Sequence, residues 1–299
     1  MKPQGLTLYP CDLCGGRDLA EVPASKHYSG GWPVHVCRGC GFVQVAERRA
    51  PDAIQKAWAD ELYRADEKAR LSNTTYTARM PAVHARQVFA ADFLAESVSL
   101  KGKRVVDIGA GEGDFLAMLQ GPGFGATGFA IEPSAANCIL MRKAGIEAYH
   151  GTMEAYMADP ANAGRRFDVA TLLWTLENTQ SARGVLTAAA EILESGGHLL
   201  VATGSRILVP FKKPLQYYFG PNMDVHPFHV SANVLKGLLA VAGFETTHVN
   251  RFIDSDYLTV VGRKAKPGAK VPWQGDDAAK VLDFFERWHR DTQDHYKDA

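Results

Sequence analysis

The sequence has no hydrophobic run approaching the ~20 consecutive apolar residues that cross a bilayer, so no membrane-spanning helix is expected. It also lacks charge of one sign. Its 33 Lys and Arg balance 33 Asp and Glu, for a formal net charge of zero. A neutral chain offers no broad electrostatic footprint for nucleic acid, which argues against that class of partner. The opening residues, MKPQGLTLYPCDLC, show neither an apolar h-region nor a small-residue cleavage site. No signal peptide is therefore expected, and the expected location is the cytoplasm. Cysteine is scarce, with five in 299 residues. What remains is ordinary for a globular protein, 46% hydrophobic and 22% charged, and long enough for one large domain with an appendage.

Four of the five cysteines fall into two matching knuckles, Cys11-Asp-Leu-Cys14-Gly15 and Cys37-Arg-Gly-Cys40-Gly41. In a chain without an export signal, this pattern favours a metal over disulfides. Glycine after the second cysteine permits the tight turn that faces backbone N–H groups toward thiolates. Four thiolates fill a tetrahedral zinc and leave no open position, so the expected metal, Zn2+, is structural. The small core between the knuckles predicts that the metal supplies much of the module's stability. The ribbon's few basic residues, Arg17, Lys26 and Arg38, favour a buttressing role over nucleic-acid reading. Cys138 stands alone and reads as a buried helix residue.

The stretch Arg104–Phe115, RVVDIGAGEGDF, organises the rest. A β-branched apolar run reads as a buried strand that carries Asp107 near its end. Gly109, Gly111 and Gly113 follow, and a helix then opens. Glycines let the backbone pass close to a ligand, and the helix start offers unpaired N–H groups. The acid at the strand end would repel a phosphate but suits a cationic ligand. This Asp-x-Gly-x-Gly-x-Gly pattern resembles motif I of the class I S-adenosylmethionine (SAM) methyltransferases. The resemblance implies that Asp107, Gly109, Ala110, Gly111, Gly113 and Phe115 wrap the amino-acid end of SAM. Downstream, GFAIEPS ends a second strand at Glu132 and Pro133 and resembles motif II, where the acid accepts the ribose hydroxyls. Thr152 and Met153, after a third short strand, are expected to flank the adenine. The fourth strand, Phe167–Trp174, ends at Trp174, a further expected cofactor contact.

The loop Thr175-Leu-Glu-Asn-Thr179 resembles the family's motif IV, where many members read Leu-Glu-His. Here Glu177 is kept and Asn178 replaces the histidine. An amide cannot take a proton at neutral pH, although it can orient a hydroxyl. The long stretch from Gly204 to Val230 carries His226-Pro-Phe-His229 before a serine-capped helix. It is similar to a bacterial methyltransferase subfamily of natural-product and surface-sugar pathways. Its histidines titrate near neutrality and are candidate bases, with Glu177 and Asn178 behind them. Arg206, Lys212 and Lys213 are candidate contacts for an anionic group on the acceptor.

Strands and helices alternate through this region, which predicts an α/β fold with a Rossmann-like parallel sheet. The expected layout is a zinc ribbon at 1–50 and a helical linker or lid at 51–98. A SAM-binding domain follows at 99–265, then a C-terminal helical extension at 266–299. Tyr63 and Tyr76 are lid residues that can enter the site, and Phe284, Phe285 and Trp288 are expected to dock on the core. Zinc-ribbon sugar C-methyltransferases are similar in outline. The implied activity is methyl transfer from SAM to oxygen or carbon of a small-molecule or sugar-type acceptor. The alternatives are an RNA methyltransferase, against which the missing Asn/Asp-Pro-Pro-Tyr motif also speaks, and a non-catalytic SAM-binding scaffold.

Overall fold

The computed structural model describes residues 6–58, 74–210, 214–220, 223–250 and 257–295. Tyr63, Lys212, Lys213 and the side chain of Tyr76 lie outside the described residues. In chain order the strands are β1 (Thr7–Leu8), β2 (Leu19–Glu21), β3 (His35–Cys37), β4 (Val43–Gln44), β5 (Glu47–Arg48), β6 (Arg104–Ile108) and β7 (Thr127–Glu132). They continue with β8 (Glu147–His150), β9 (Phe167–Leu173), β10 (Leu193–Thr203), β11 (Phe228–His229), β12 (Phe244–Val249) and β13 (Leu258–Lys264).

Seven of these form the central sheet, in the order β12-β13-β10-β9-β6-β7-β8. β13 runs antiparallel to both neighbours, and the other pairings are parallel. Alternate residues feed opposite faces. Val106 and Ile108 face one core with helices Ala182–Ile192 and Ala232–Val241. Val105 faces the other with helices Thr74–Ser97, Asp114–Gln120 and Ala135–Lys143. Both faces are covered, which is why β6 and β9 read as continuous apolar runs. From β6 the chain winds outward through β7 and β8, then returns to β9 on the opposite side of β6. That reversal opens a crevice at the carboxyl ends of β6 and β9, where open α/β sheets bind ligands.

Two element boundaries differ from the sequence expectation. The sequence from Ser181 to Ser195 reads as a helix that Gly196-Gly197 would end, but the helix ends at Ile192 and β10 begins directly at Leu193. Leu193 pairs with Phe167 and His198 with Val169, and the register shift between them holds Gly196 at φ +72°. The two glycines therefore make a bulge in a strand, not a helix stop. The sequence from about Arg79 to Ser97 reads as a second helix of the lid, and the helix there spans Thr74–Ser97 and continues through Pro81.

The ribbon is not a separate bead. Its sheet has the order β11-β4-β3-β2, so Phe228 and His229, from far along the chain, complete it. Cys11, Leu13, Cys37, Cys40 and Phe42 share a core with Phe228, Val234 and the central sheet. On the ribbon's other side, Trp32, Val34 and Val36 pack with Phe284, Phe285 and Trp288 of helix Ala278–His295. These three aromatics thus dock on the ribbon and not on the central sheet. The ribbon exposes a face of β-branched and aromatic side chains that matches the helix's apolar stripe.

Candidate active site

A cavity of about 400 Å³ opens at the crevice between β6 and β9, within the ~300–1,000 Å³ range of small-molecule sites. Gly109 leaves β6 at φ +74°, and a Cβ there would sit 2.6 Å from the Thr175 side chain. Glycine is therefore required both by the turn and by the close approach of the β9 loop. Gly111, at φ +59°, has open space around it. Its N–H donates to Glu132 Oε2 at 2.9 Å, while Oε1 accepts from Ser134 N at 2.9 Å. One buried carboxylate at the end of β7 thus ties the glycine turn to the next helix. Asp107 is buried and accepts from Thr171 Oγ1 at 2.7 Å. Burial pushes its carboxyl up to about 7, the Thr171 hydroxyl opposes this, and the charge of Glu132 adds to it.

Asp107, Gly109, Ala110, Gly111 and Phe115 line the cavity, with Glu132, Pro133, Thr152 and Met153 along its far side. Trp174 and Asn178 close it from the β9 loop. Trp174 takes φ +54° and stacks on Tyr257 at 5.8 Å between centroids. Among the described lining residues, the charged ones are all acids: Asp107, Glu112, Asp114, Glu132 and Glu154. The potential there favours a cation and disfavours phosphate.

Five sequence-predicted residues are not on the cavity wall. Gly113 turns its α-carbon toward Met141, 2.5 Å from where a Cβ would stand, so this glycine seats one helix against another. Glu177 is buried behind the wall, accepts from Gly204 N at 3.3 Å, and is driven up to about 7 by burial. His229 is a β11 residue packed against Tyr218 and Phe219, with centroids at 4.9 and 5.3 Å. Its strand pairing turns it into the ribbon interface and away from the cavity. His226 reaches the wall only through Asn178, whose Oδ1 lies 2.6 Å from its Nδ1. Arg206 likewise does not line the cavity.

The His226 contacts assign its tautomer. Asn178 donates its amide N–H to the Trp174 carbonyl at 2.8 Å, which leaves its oxygen facing the ring. Nδ1 therefore carries the hydrogen, and Nε2 accepts from Ser205 Oγ at 2.8 Å. Burial lowers the His226 pKa to about 4, so the ring is neutral at pH 7. Ser205, His226 and Asn178 thus share the connectivity of a nucleophile relay. The Gly204 and Ser205 amides that an oxyanion hole would use are engaged by Glu177 and by Thr203 Oγ1. The relay holds the ring; it does not prime the serine for attack.

Sequence reasoning expected a lid over 51–98 but did not single out the remaining lining residues. Ile54, Trp58, Val83 and Gln87 come from the segment before β6, and Thr179, Gln180 and Val185 from the segment after β9. The motif IV resemblance points to the neighbourhood of Thr179, but no local pattern marks Ile54 or Trp58.

The four ribbon sulfurs all lie within 4.8 Å of one another, with the pairs Cys11–Cys40 and Cys14–Cys37 at 3.5 Å. Ligands ~2.3 Å from a tetrahedral centre sit about 3.8 Å apart, so the donor set fits zinc. Gly16 N donates to Cys14 Sγ at 3.4 Å, as a thiolate requires. Hydrogen bonding with Cys37 pushes the Cys11 thiol up to about 12. Four sulfurs this close do not ionise together without a cation among them.

A family model described as a methyltransferase domain matches residues 82–249. A ubiquinone biosynthesis O-methyltransferase of Marinobacter nauticus is 31% identical over 44% of this chain and 56% of its own. Its counterpart from Cronobacter sakazakii is 31% identical over 38% and 48%. The chain thus spans about half the length of the curated relatives it matches. Among solved structures, an O-methyltransferase family protein from Burkholderia thailandensis superposes with a TM-score of 0.53. It has 20% identity over 71% of this chain and 64% of that one. A complex of the Haloferax volcanii Trm112 methyltransferase activator with a methyltransferase gives 0.50, at 16% identity over 71% and 98%. The family match covers more than half of the chain and includes the whole glycine turn, and on that ground the chain belongs to the methyltransferase-domain family.

Proposed function

We propose that this enzyme methylates a hydroxyl of an uncharged small molecule, with SAM held along β6 and β7. The observation that carries the reading is the all-acidic set of charged residues on the described wall. It suits a sulfonium cofactor and gives no cation to a phosphorylated acceptor. When bound, SAM supplies an electrophilic methyl on a positively charged sulfur. Asp107 and the glycine turn hold its amino-acid end, Glu132 its ribose, and Thr152 and Met153 its base. Ile54, Trp58, Val83 and Val185 form the apolar acceptor side, and positioning of the acceptor oxygen provides most of the acceleration.

The imidazole nearest the wall is His226, whose Nδ1–H holds Asn178 Oδ1 while Nε2 is turned to Ser205, so it positions Asn178 and does not itself meet the acceptor. With its pKa at about 4, no strong base stands behind the described wall, which suits an acidic hydroxyl such as a phenol, with pKa ~10, better than a sugar alcohol. The O-methyl transfer named for the ubiquinone-pathway relatives is consistent with this choice. The four cysteines hold one structural zinc.

The test is transfer of labelled methyl from SAM into host extract fractionated into small molecules, glycans and RNA. Label in the small-molecule fraction is expected, and mass analysis then names the acceptor. Label in glycans would return the sugar reading. Label in RNA would overturn both and give the ribbon a recognition role.

A further inference from the structure

The cavity's acceptor wall and the ribbon are joined by side chains that the methyltransferase reading leaves unexplained. Asp12 lies inside the first knuckle, between Cys11 and Cys14. Its Oδ1 accepts from Ser181 Oγ at 2.9 Å and its Oδ2 from Arg183 N at 2.8 Å. Ser181 is the N-cap of helix Ala182–Ile192. A carboxylate at that position satisfies an orphan N–H and complements the helix dipole. The residues immediately before this cap, Asn178, Thr179 and Gln180, line the cavity. Gln180 is itself tied back to the N-terminal segment, donating to Tyr9 OH at 3.2 Å. Asp12 is in turn held by Gln44, a β4 residue whose Oε1 accepts from its backbone N–H.

The second knuckle makes a parallel connection. The Cys40 carbonyl accepts from Asp276 N at 2.9 Å, and the Asp276 carboxylate accepts from Ser231 Oγ and from Asn233 Nδ2. Ser231 is the N-cap of helix Ala232–Val241 and follows β11, which pairs with β4 of the ribbon. His226 precedes β11 by two residues. Each knuckle therefore grips the start of one helix, and these two helices pack side by side. Between the two grips lies the Asn178–His226 hydrogen bond.

We propose that the metal-bound ribbon is the clasp that sets the acceptor wall, with Asp12 as the positioning residue that transmits the metal's presence to Asn178–Gln180. Four sulfurs around one ion fix the Cys11–Cys14 turn, and that turn aims the Asp12 carboxylate at Ser181 and Arg183. Without the ion the turn loses its anchor, the helix start frays, and the wall loosens. The cofactor side, built on β6 and β7, shares apolar packing with the ribbon's cluster but has no such hydrogen-bonded link among the described residues. The assignment of this wall to the acceptor rests on the function proposed above, whereas the mechanical coupling does not.

The experiment compares the full-length zinc-loaded protein with Asp12→Ala and with the isosteric Asp12→Asn, which keeps one acceptor oxygen. Zinc content is expected to stay at one per chain in all three. Amide exchange over residues 175–186 is expected to rise by ~10-fold or more in Asp12→Ala, to an intermediate level in Asp12→Asn, and to stay unchanged over 104–115. Removing zinc from the wild type with a strong chelator is expected to produce the same localised rise. Coupling is also reciprocal. S-adenosylhomocysteine, which orders the cavity, is expected to slow zinc transfer to a colorimetric chelator ~10-fold in the wild type and less than ~2-fold in Asp12→Ala. Unchanged exchange at 175–186 in Asp12→Ala, or equal slowing of zinc release in both proteins, would overturn the proposal. Failure of S-adenosylhomocysteine to bind the wild type would instead sink the cofactor assignment, and the exchange measurements would still decide on the clasp.

Discussion

Asp107, with a carboxyl near pH 7, is about half protonated at neutral pH in the free protein. A cationic ligand favours the carboxylate, so binding and deprotonation are linked. Affinity for SAM is expected to rise as pH increases to about 7, by at most ~10-fold per unit, and then to level off. Calorimetry across pH 5.5 to 8.5 reads this directly. Asp107→Asn flattens the profile and weakens binding, and Glu132→Ala, which also releases the Gly111 and Ser134 amides, abolishes it. His226 has the opposite character. Its folded pKa of about 4 lies below the ~6.5 of an unfolded chain. Between those values the unfolded state binds a proton that the fold excludes, so this residue's contribution to stability falls as pH drops from 6.5 toward 4. The destabilisation caused by His226→Asn is expected to be about 1–2 kcal/mol smaller at pH 5 than at pH 7 in urea titrations. The acid at Asp107 and the substitution of Asn178 for histidine were legible in the sequence. That Asn178 pairs with His226 was not, because the two residues meet only through tertiary packing.

At the scale of elements, the glycine turn separates two reasons for glycine. Gly111 has φ +59° and no neighbour near its missing Cβ, whereas Gly113 has φ +86° and Met141 against it. Gly111→Ala is expected to cost ~1 kcal/mol for the backbone alone. Gly113→Ala carries that cost plus the displacement of Met141, ~2–4 kcal/mol in total. Chemical denaturation of the two variants distinguishes them. The buried parallel strands β6, β7 and β9 were readable because each is a short, largely apolar run bounded by turn signals. β10 was readable only from His198 onward, since a glycine pair signals a helix end and a strand bulge alike. β11 is two residues long and follows no period, so nothing local announces it. The apolar part of the cavity wall at Ile54, Trp58 and Val83 was hidden for the same reason: distant segments supply it.

For the molecule as a whole, the ribbon is held between the methyltransferase sheet and helix Ala278–His295. Trp288 is buried where that helix meets the ribbon. Trp288→Ala is expected to cost ~3–5 kcal/mol and to speed zinc release to a chelator, while S-adenosylhomocysteine binding changes little. The two knuckles and the α/β alternation were both plain in the sequence. Their union was not, because the hydrophobic clusters run across the expected boundaries near residues 50 and 265.

That union sets an order of events for a chain made from its N-terminus. β4 leaves the ribosome with β3 on one edge and nothing on the other, because its partner Phe228–His229 has yet to be synthesised. The face formed by Trp32, Val34 and Val36 waits longer still, for Phe284, Phe285 and Trp288. The ribbon, translated before the sheet, is therefore finished after it. A nascent chain halted before residue 228 presents an open strand edge and a bare apolar face, the combination that chaperones hold and that aggregates capture.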